Sequence, residues 1–283
     1  MSEIKQRISC EFFPPKTEAG IAKLLADVTP ALNALGPEFF SVTYGAGGST
    51  RDSTMGVVSA IRDLGIDVAP HLSFGGDDEN AVADLLEAYR AKGVKRLVAL
   101  RGDIPSGTGG AAQSVYANEL VAFIRKTTGD YFNIEVAAYP EIHPESKSYD
   151  SDIHFLKSKF DAGANSAITQ YFYTVEAYFY FLDQCAAAGI DQPIYAGIMP
   201  ITNFANLKRF STNCGAEIPR WICQRMDAYG DDQESIGKFG LEVVTQLCQT
   251  LLDSGAPGIH FYTMNQVEPT RQLFQHLGLT ESS

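Results

Sequence analysis

Cysteine is scarce in this chain and poorly spaced for pairing. Cys10, Cys185, Cys214, Cys223 and Cys248 form no CxxC pair, and their count is odd. That pattern reads as scattered reduced thiols in a cytosolic protein. Positive charge is short as well: 22 Lys and Arg stand against 34 Asp and Glu, a net charge of −12. A general nucleic-acid surface does not fit that balance, and any anionic ligand needs a local patch of Lys and Arg. Long apolar runs are missing too. The N-terminus MSEIKQRIS lacks the core of a signal peptide, and no segment approaches a membrane span, so the expected location is the cytoplasm.

Several catalytic signatures are also absent. No HExxH or cysteine cluster accompanies His71 and His143, so no metal site is expected, and no nucleophile elbow supports Ser/His/Asp chemistry. GAGGST, after Tyr44, puts Thr50 where a dinucleotide fingerprint needs its last glycine, and no Gly-Lys-Ser/Thr follows to make a P-loop. It reads as a strand–helix loop rather than a phosphate cradle.

What the chain does have is a regular alternation. With 283 residues, 45% hydrophobic, it suits one large globular domain or two small ones. Buried-strand character recurs over residues 7–13, 38–44, 67–72, 95–100, 133–139, 165–170, 193–198 and 257–262. Between them lie helix-period segments such as EAGIAKLLADVTPALNAL, DENAVADLLEAYRAKG and TVEAYFYFLDQCAAAG, the last two closed by Gly93 and Gly189. Eight strand–helix units predict a (β/α)8 TIM barrel, with a doubly wound sheet as the rival. Residues 203–252 read as extra helices before the last strand, IPRWICQRM forming one amphipathic piece.

Chemistry in such a barrel sits at the C-terminal ends of the strands. Those ends carry Glu11, Thr43 with Tyr44, His71, Arg101 with Asp103, Tyr139 with Glu141 and His143, Gln170, Pro200 with Asn203, and Tyr262 with Asn265. Glu11 is the most demanding, because ISCEFFPP places a carboxylate inside an apolar strand that proline then ends. Asp103 in LRGDIP also fits a plain turn cap. Arg101, Lys159 and the aromatic residues Tyr139, Tyr171 and Tyr262 suit a large, flat, anionic ligand, and the residue types alone go no further.

The segments ISCEFFPP, SVTYGAGGSTRD, APHLS, VALRGDIP, AAYPEIHPES, DAGANSAITQYFY, GIMPITNFANLKRF and HFYTMNQ closely resemble the bacterial type of methylenetetrahydrofolate reductase, in order and over almost the full length. The resemblance implies a barrel with non-covalent FAD that reduces 5,10-methylenetetrahydrofolate to 5-methyltetrahydrofolate, the methyl supply for methionine synthesis. NADH or NADPH is the implied hydride donor, with NADH favoured, in a ping-pong cycle. The implied FAD site comprises Thr43, His71, Arg101, Gly102, Asp103, Tyr116, Ala117, Ala137, Tyr139, His143, Asp152 and Lys159. Substrate would meet Gln170, Phe210 and Tyr262 beside Glu11 and Asp103. Residues 1–283 are expected to be one catalytic barrel without the C-terminal regulatory domain of eukaryotic relatives, and a homo-oligomer, a tetramer by analogy.

In the family the glutamate of the EFFPP motif protonates N10 and opens the folate's five-membered ring. The same role is implied for Glu11, with a pKa raised by burial beside Phe12 and Phe13. Asp103 is implied to stay ionised and favour the iminium cation. Two departures are notable. Gln266 replaces an arginine of some relatives, which implies a changed contact to the folate's glutamate tail or to nicotinamide. Phe155 stands where relatives often place a polar residue near the flavin's ribose, which implies weaker FAD retention. A flavin-free barrel methyltransferase and a binding module without turnover are the alternatives.

Overall fold

The computed structural model describes residues 6–44, 51–74, 78–101 and 115–279. Eight strands close a parallel barrel in sequence order: β1 (Arg7–Phe12), β2 (Phe40–Val42), β3 (Val68–Leu72), β4 (Arg96–Ala99), β5 (Asn133–Ala138), β6 (Ser166–Thr169), β7 (Ile194–Ile198) and β8 (Gly258–Tyr262). This is the (β/α)8 TIM barrel that the alternation predicts. Every strand falls within its expected range but is trimmed at one or both ends. The trimmed positions Thr43, Leu100 and Gln170 still donate one bond each, to Phe12 O, Leu72 O and Ala138 O at 2.9, 2.9 and 2.8 Å. They leave the ladder where the chain turns into the loops at the barrel mouth.

The helices include α1 (Glu18–Lys23), α2 (Thr29–Asn33), α3 (Arg51–Asp63), α4 (Glu79–Ala91), α5 (Ala117–Thr128), α6 (Tyr149–Asp161) and α7 (Val175–Ala187). The first segment is not one α-helix: a π turn over Leu24–Val28 separates α1 from α2. Pro30, in the first turn of α2, has no N–H to give, and the Thr29 hydroxyl bonds back to Leu24 O at 2.8 Å. The expected extra helices are α8 (Phe204–Cys214), α9 (Arg220–Tyr229) and α10 (Gln233–Asp253), with α11 (Glu268–His276) after β8. In α9, Ile222 and Met226, one helical turn apart, are buried while Trp221 faces out.

Strand alternation sorts β1 into two faces. Ile8, Cys10 and Phe12 point outward into the core shared with the helices, where Phe12 stacks on Phe40 at 4.7 Å. Arg7, Ser9 and Glu11 point into the barrel. The lumen is layered. At the bottom, Glu135 is fully buried and bonded by Arg7 and by Ser166, with Arg96 Nη1 at 3.7 Å. Above it lies a small apolar layer of Phe39, Ala69 and Val98 against Leu100. The top layer is polar again and holds Glu11.

Candidate active site

Glu11 is held by three other strands. Its Oε2 accepts from Ser41 Oγ at 3.2 Å and lies 3.1 Å from His71 Nε2 and 3.5 Å from His260 Nε2. His260 is fully buried, and its Nδ1 is 2.7 Å from Ser9 Oγ. The His71 nitrogen is close to Glu11 but off the hydrogen-bond axis, so it has no hydrogen-bond partner among the described residues. This cluster overturns one expectation. Burial does push the Glu11 carboxyl up, but His71 and then His260 outweigh it and bring the pKa down to about 2. Glu11 points at imidazoles rather than at Phe12, whose ring lies on the opposite face of the strand.

The backbone around Glu11 is clasped by the end of β8. Thr263 Oγ1 donates to Glu11 O at 2.6 Å. The Asn265 amide accepts from Phe13 N at 3.1 Å and donates to Phe13 O at 2.8 Å, extending the β1/β8 pairing past both strand ends. Met264 and Asn265 take left-handed φ values of 53° and 55° to do so, a conformation that Asn tolerates better than most residues. Gly197 makes a second close approach possible. A Cβ there would lie 2.0 Å from Thr169 O and 2.8 Å from the Tyr262 ring, whose hydroxyl donates to Thr169 O at 2.7 Å.

Two cavities open at the strand ends. The smaller, about 450 Å³, is lined by Glu11, Gln170, Phe210 and Tyr262 among others, with Tyr171, Met199 and Cys214 completing one side. The larger, about 870 Å³, is lined by Arg101, Tyr116, Ala117, His143, Asp152, Phe155 and Lys159. His71, Leu100, Ala137 and Tyr139 line both, so the cavities share a wall. The larger one receives the N-terminal ends of α5 and α6, which favour anions, together with the cations Arg101, Lys147 and Lys159. Here is the local basic patch that an acidic chain needs for an anionic ligand.

Two of those cations, Arg101 and Lys159, are already held in place. Arg101 ion-pairs with Glu145, and Lys159 Nζ donates to Ala137 O at 2.6 Å. Burial pulls Lys159 down to about 8, with Asp152 opposing the shift. Asp152 accepts from His143 N at 2.8 Å and Ser146 Oγ at 3.1 Å, which fixes the loop leading into α6. The Thr43 hydroxyl is buried with no hydrogen-bond partner among the described residues.

The family model described as methylenetetrahydrofolate reductase matches residues 1–278. The chain belongs to that family. The 5,10-methylenetetrahydrofolate reductase of Escherichia coli (strain K12) is 39% identical over 273 residues, covering 96% of this chain and 90% of that protein. The protein of that name from Pectobacterium carotovorum is 39% identical over 282 residues, covering 99% and 93%. The Arabidopsis thaliana methylenetetrahydrofolate reductase (NADH) 1 is 35% identical, covering 97% of this chain and 49% of the longer plant protein. A solved structure with a TM-score of 0.70 and 19% identity covers 97% of this chain and 95% of its own. It is an uncharacterized Clostridium thermocellum protein described as binding two copies of 5-methyl-5,6,7,8-tetrahydrofolic acid, and its likeness concerns the fold.

Of the residues expected to form the site in this reductase family member, Glu11, His71, Gln170, Phe210 and Tyr262 gather at the smaller cavity. His71, Arg101, Tyr116, Ala117, Ala137, Tyr139, His143, Asp152 and Lys159 gather at the larger. Thr43 sits beside Tyr44 at the end of β2. Gly102 and Asp103 lie outside the described residues. Sequence reasoning missed Ser9, Ser41 and His260 beneath Glu11. The signal was there in their register: polar residues at inward positions of strands that are otherwise apolar.

Proposed function

We propose that this chain reduces 5,10-methylenetetrahydrofolate to 5-methyltetrahydrofolate with non-covalent FAD in the larger cavity. Folate and reduced nicotinamide take turns in the smaller one. The shared wall of His71, Leu100, Ala137 and Tyr139 carries this reading, because it lets one flat ring border both cavities. The residues present fit a flavin dinucleotide. Arg101, Lys159 and two helix N-termini suit its diphosphate, and His71 and Tyr139 on the shared wall suit the polar edge of its ring. The flavin, when bound, supplies two-electron hydride transfer between nicotinamide and folate, a ping-pong cycle. The plant relatives named as NADH forms support NADH as donor.

The chain's own residues supply binding and the proton. Gln170, whose Oε1 accepts from Tyr171 N at 3.0 Å, offers an amide to the pterin edge, and Phe210 stacks on whichever ring is present. Glu11 rests as an anion beside its imidazoles. As folate enters, Glu11 takes a proton from solvent, the covered cavity then favours its neutral form by desolvation, and Glu11 passes that proton to N10. A flavin-free methyltransferase leaves the basic cavity without a ligand. The purified protein is expected to show flavin absorbance that bleaches with anaerobic NADH and returns with methylenetetrahydrofolate. A colourless protein that binds no added flavin refutes the reading.

The cations give a separate test. Lys159→Ala and Arg101→Ala are each expected to weaken FAD binding about 10- to 100-fold, the effect of losing one charge-assisted hydrogen bond, while the barrel stays folded. Because Lys159 sits below its ordinary range, near 8, its charge is present below that pH and lost above it. FAD affinity of the wild type should therefore fall between pH 7 and 9, and that fall should be absent in Lys159→Ala. Equilibrium titration with FAD reads both effects, and unchanged affinity in both variants contradicts the assignment.

A further inference from the structure

Tyr116 and Phe155 are large aromatic residues left 51% exposed each, and both line the larger cavity. They come from different elements, Tyr116 capping α5 and Phe155 projecting from α6. Even so, their rings are parallel within 9°, with centroids 6.4 Å apart. A third ring held between two others needs their planes about 7 Å apart, twice a carbon–carbon contact, and two half-exposed side chains can part to admit one. Asp152, Phe155 and Lys159 all line the cavity, and their spacing on α6 puts them on one helix face. Arg101 is close as well, its Cζ 6.0 Å from the Tyr116 ring centre. Parallel rings beside clustered cations suit a nucleotide: a base to stack and phosphates to pair.

We infer that Tyr116 and Phe155 form an aromatic clamp for the adenine ring of the dinucleotide, and that Phe155 sets a preference for FAD over FMN. This rests on the flavin reading above. A phenyl ring at position 155 offers a ligand no hydrogen bond. Opposite Tyr116 it becomes half of a stacking site, and it strengthens cofactor retention. Stacking needs no hydrogen-bond pattern on the base, so the clamp serves any ligand carrying adenosine diphosphate.

Titrating the apoprotein with FAD, FMN and ADP, in the wild type and in Phe155→Asn, tests this. The variant is expected to bind FAD and ADP about tenfold more weakly, within what stacking one base supplies, and FMN within about twofold of wild type. Phe155→Trp is expected to restore FAD and ADP affinity. Unchanged FAD and ADP affinity in Phe155→Asn overturns the clamp while leaving the flavin reading intact. So does an equal loss for all three ligands, which marks a disturbed helix. A wild type that binds neither flavin but binds ADP in a Phe155-dependent way keeps the clamp and sinks the flavin reading.

Discussion

Glu11→Gln is expected to slow reduction of methylenetetrahydrofolate by at least about 10²- to 10⁴-fold, the usual contribution of a general acid. Bleaching of the flavin by NADH should stay within about tenfold of wild type, since that hydride transfer needs no proton at N10. Glutamine keeps the side chain's length and an acceptor for Ser41, 3.2 Å away, but it has no proton to deliver. The resting pKa of about 2 adds a second expectation. A carboxylate that is ionised in the free protein must acquire its proton with the folate bound, so the folate half-reaction should slow as pH rises while the NADH half-reaction stays flat. The same shift lies below the ordinary carboxylate value of 4.5, so Glu11 stabilises the fold above that pH and progressively less as pH falls toward 2. Acid unfolding of Glu11→Gln should lose that part of its pH dependence. Anaerobic rapid mixing follows each half-reaction by flavin absorbance. Reoxidation by methylenetetrahydrofolate at the wild-type rate would make Glu11 a structural residue.

Glu135→Ala should be the more damaging change to the fold itself, costing about 3–5 kcal/mol as a broken buried ion pair does. Glu135 is fully buried, and the Arg7 side chain beside it is 9% exposed. The Arg7 guanidinium lies 4.0 Å from the Tyr195 ring centre and 4.6 Å from that of Phe39, contacts that do not replace a carboxylate. Glu38 compensates only in part: it pairs with Arg96 and lies 3.7 Å from Arg7 Nε, at the more exposed side of the cluster. A lower urea midpoint at unchanged m is the expected readout. Arg7→Met combined with Glu135→Leu should recover most of the loss, since an apolar pair strands no charge. A Glu135→Ala protein within 1 kcal/mol of wild type would show that water reaches the barrel floor.

The barrel was legible because each strand is a short apolar run bounded by turn residues, and each intervening segment carries a helical period. The ends were less so. A residue such as Thr43 or Gln170 has strand character, yet it makes one ladder bond before the chain bends toward the mouth. The π turn at Leu24–Val28 was invisible because it answers to Pro30 and Thr29 rather than to a change in periodicity. At the site, the sequence pointed to residues that gather at the two cavities, but not to their electrostatics. ISCEFFPP shows a carboxylate among aromatic residues, and local reasoning raises its pKa. The imidazoles that reverse the sign arrive from β3 and β8, brought there only by closure of the barrel. The ionic floor was hidden for a like reason: Arg7, Arg96 and Glu135 look like strand-edge charges until three strands converge.

That closure sets when the site comes into being. β1 pairs with β8 from Arg7↔Gly258 to Glu11↔Tyr262, and the Thr263–Glu11 bond spans 252 positions of chain. During synthesis the acid emerges well before its β8 partners, His260 and Thr263. For most of translation Glu11 is therefore a carboxylate on an unpaired strand edge, the kind of edge that pairs with the wrong neighbour. Contacts so distant in sequence form only after the loop-closure entropy of nearly the whole chain has been overcome. Joining β1 and β8 should be the slow step of refolding, and the larger cavity, lined by residues from the end of β2 to α6, can form before it. A ligand taken up by that cavity would then template the barrel before Glu11 meets its β8 partners.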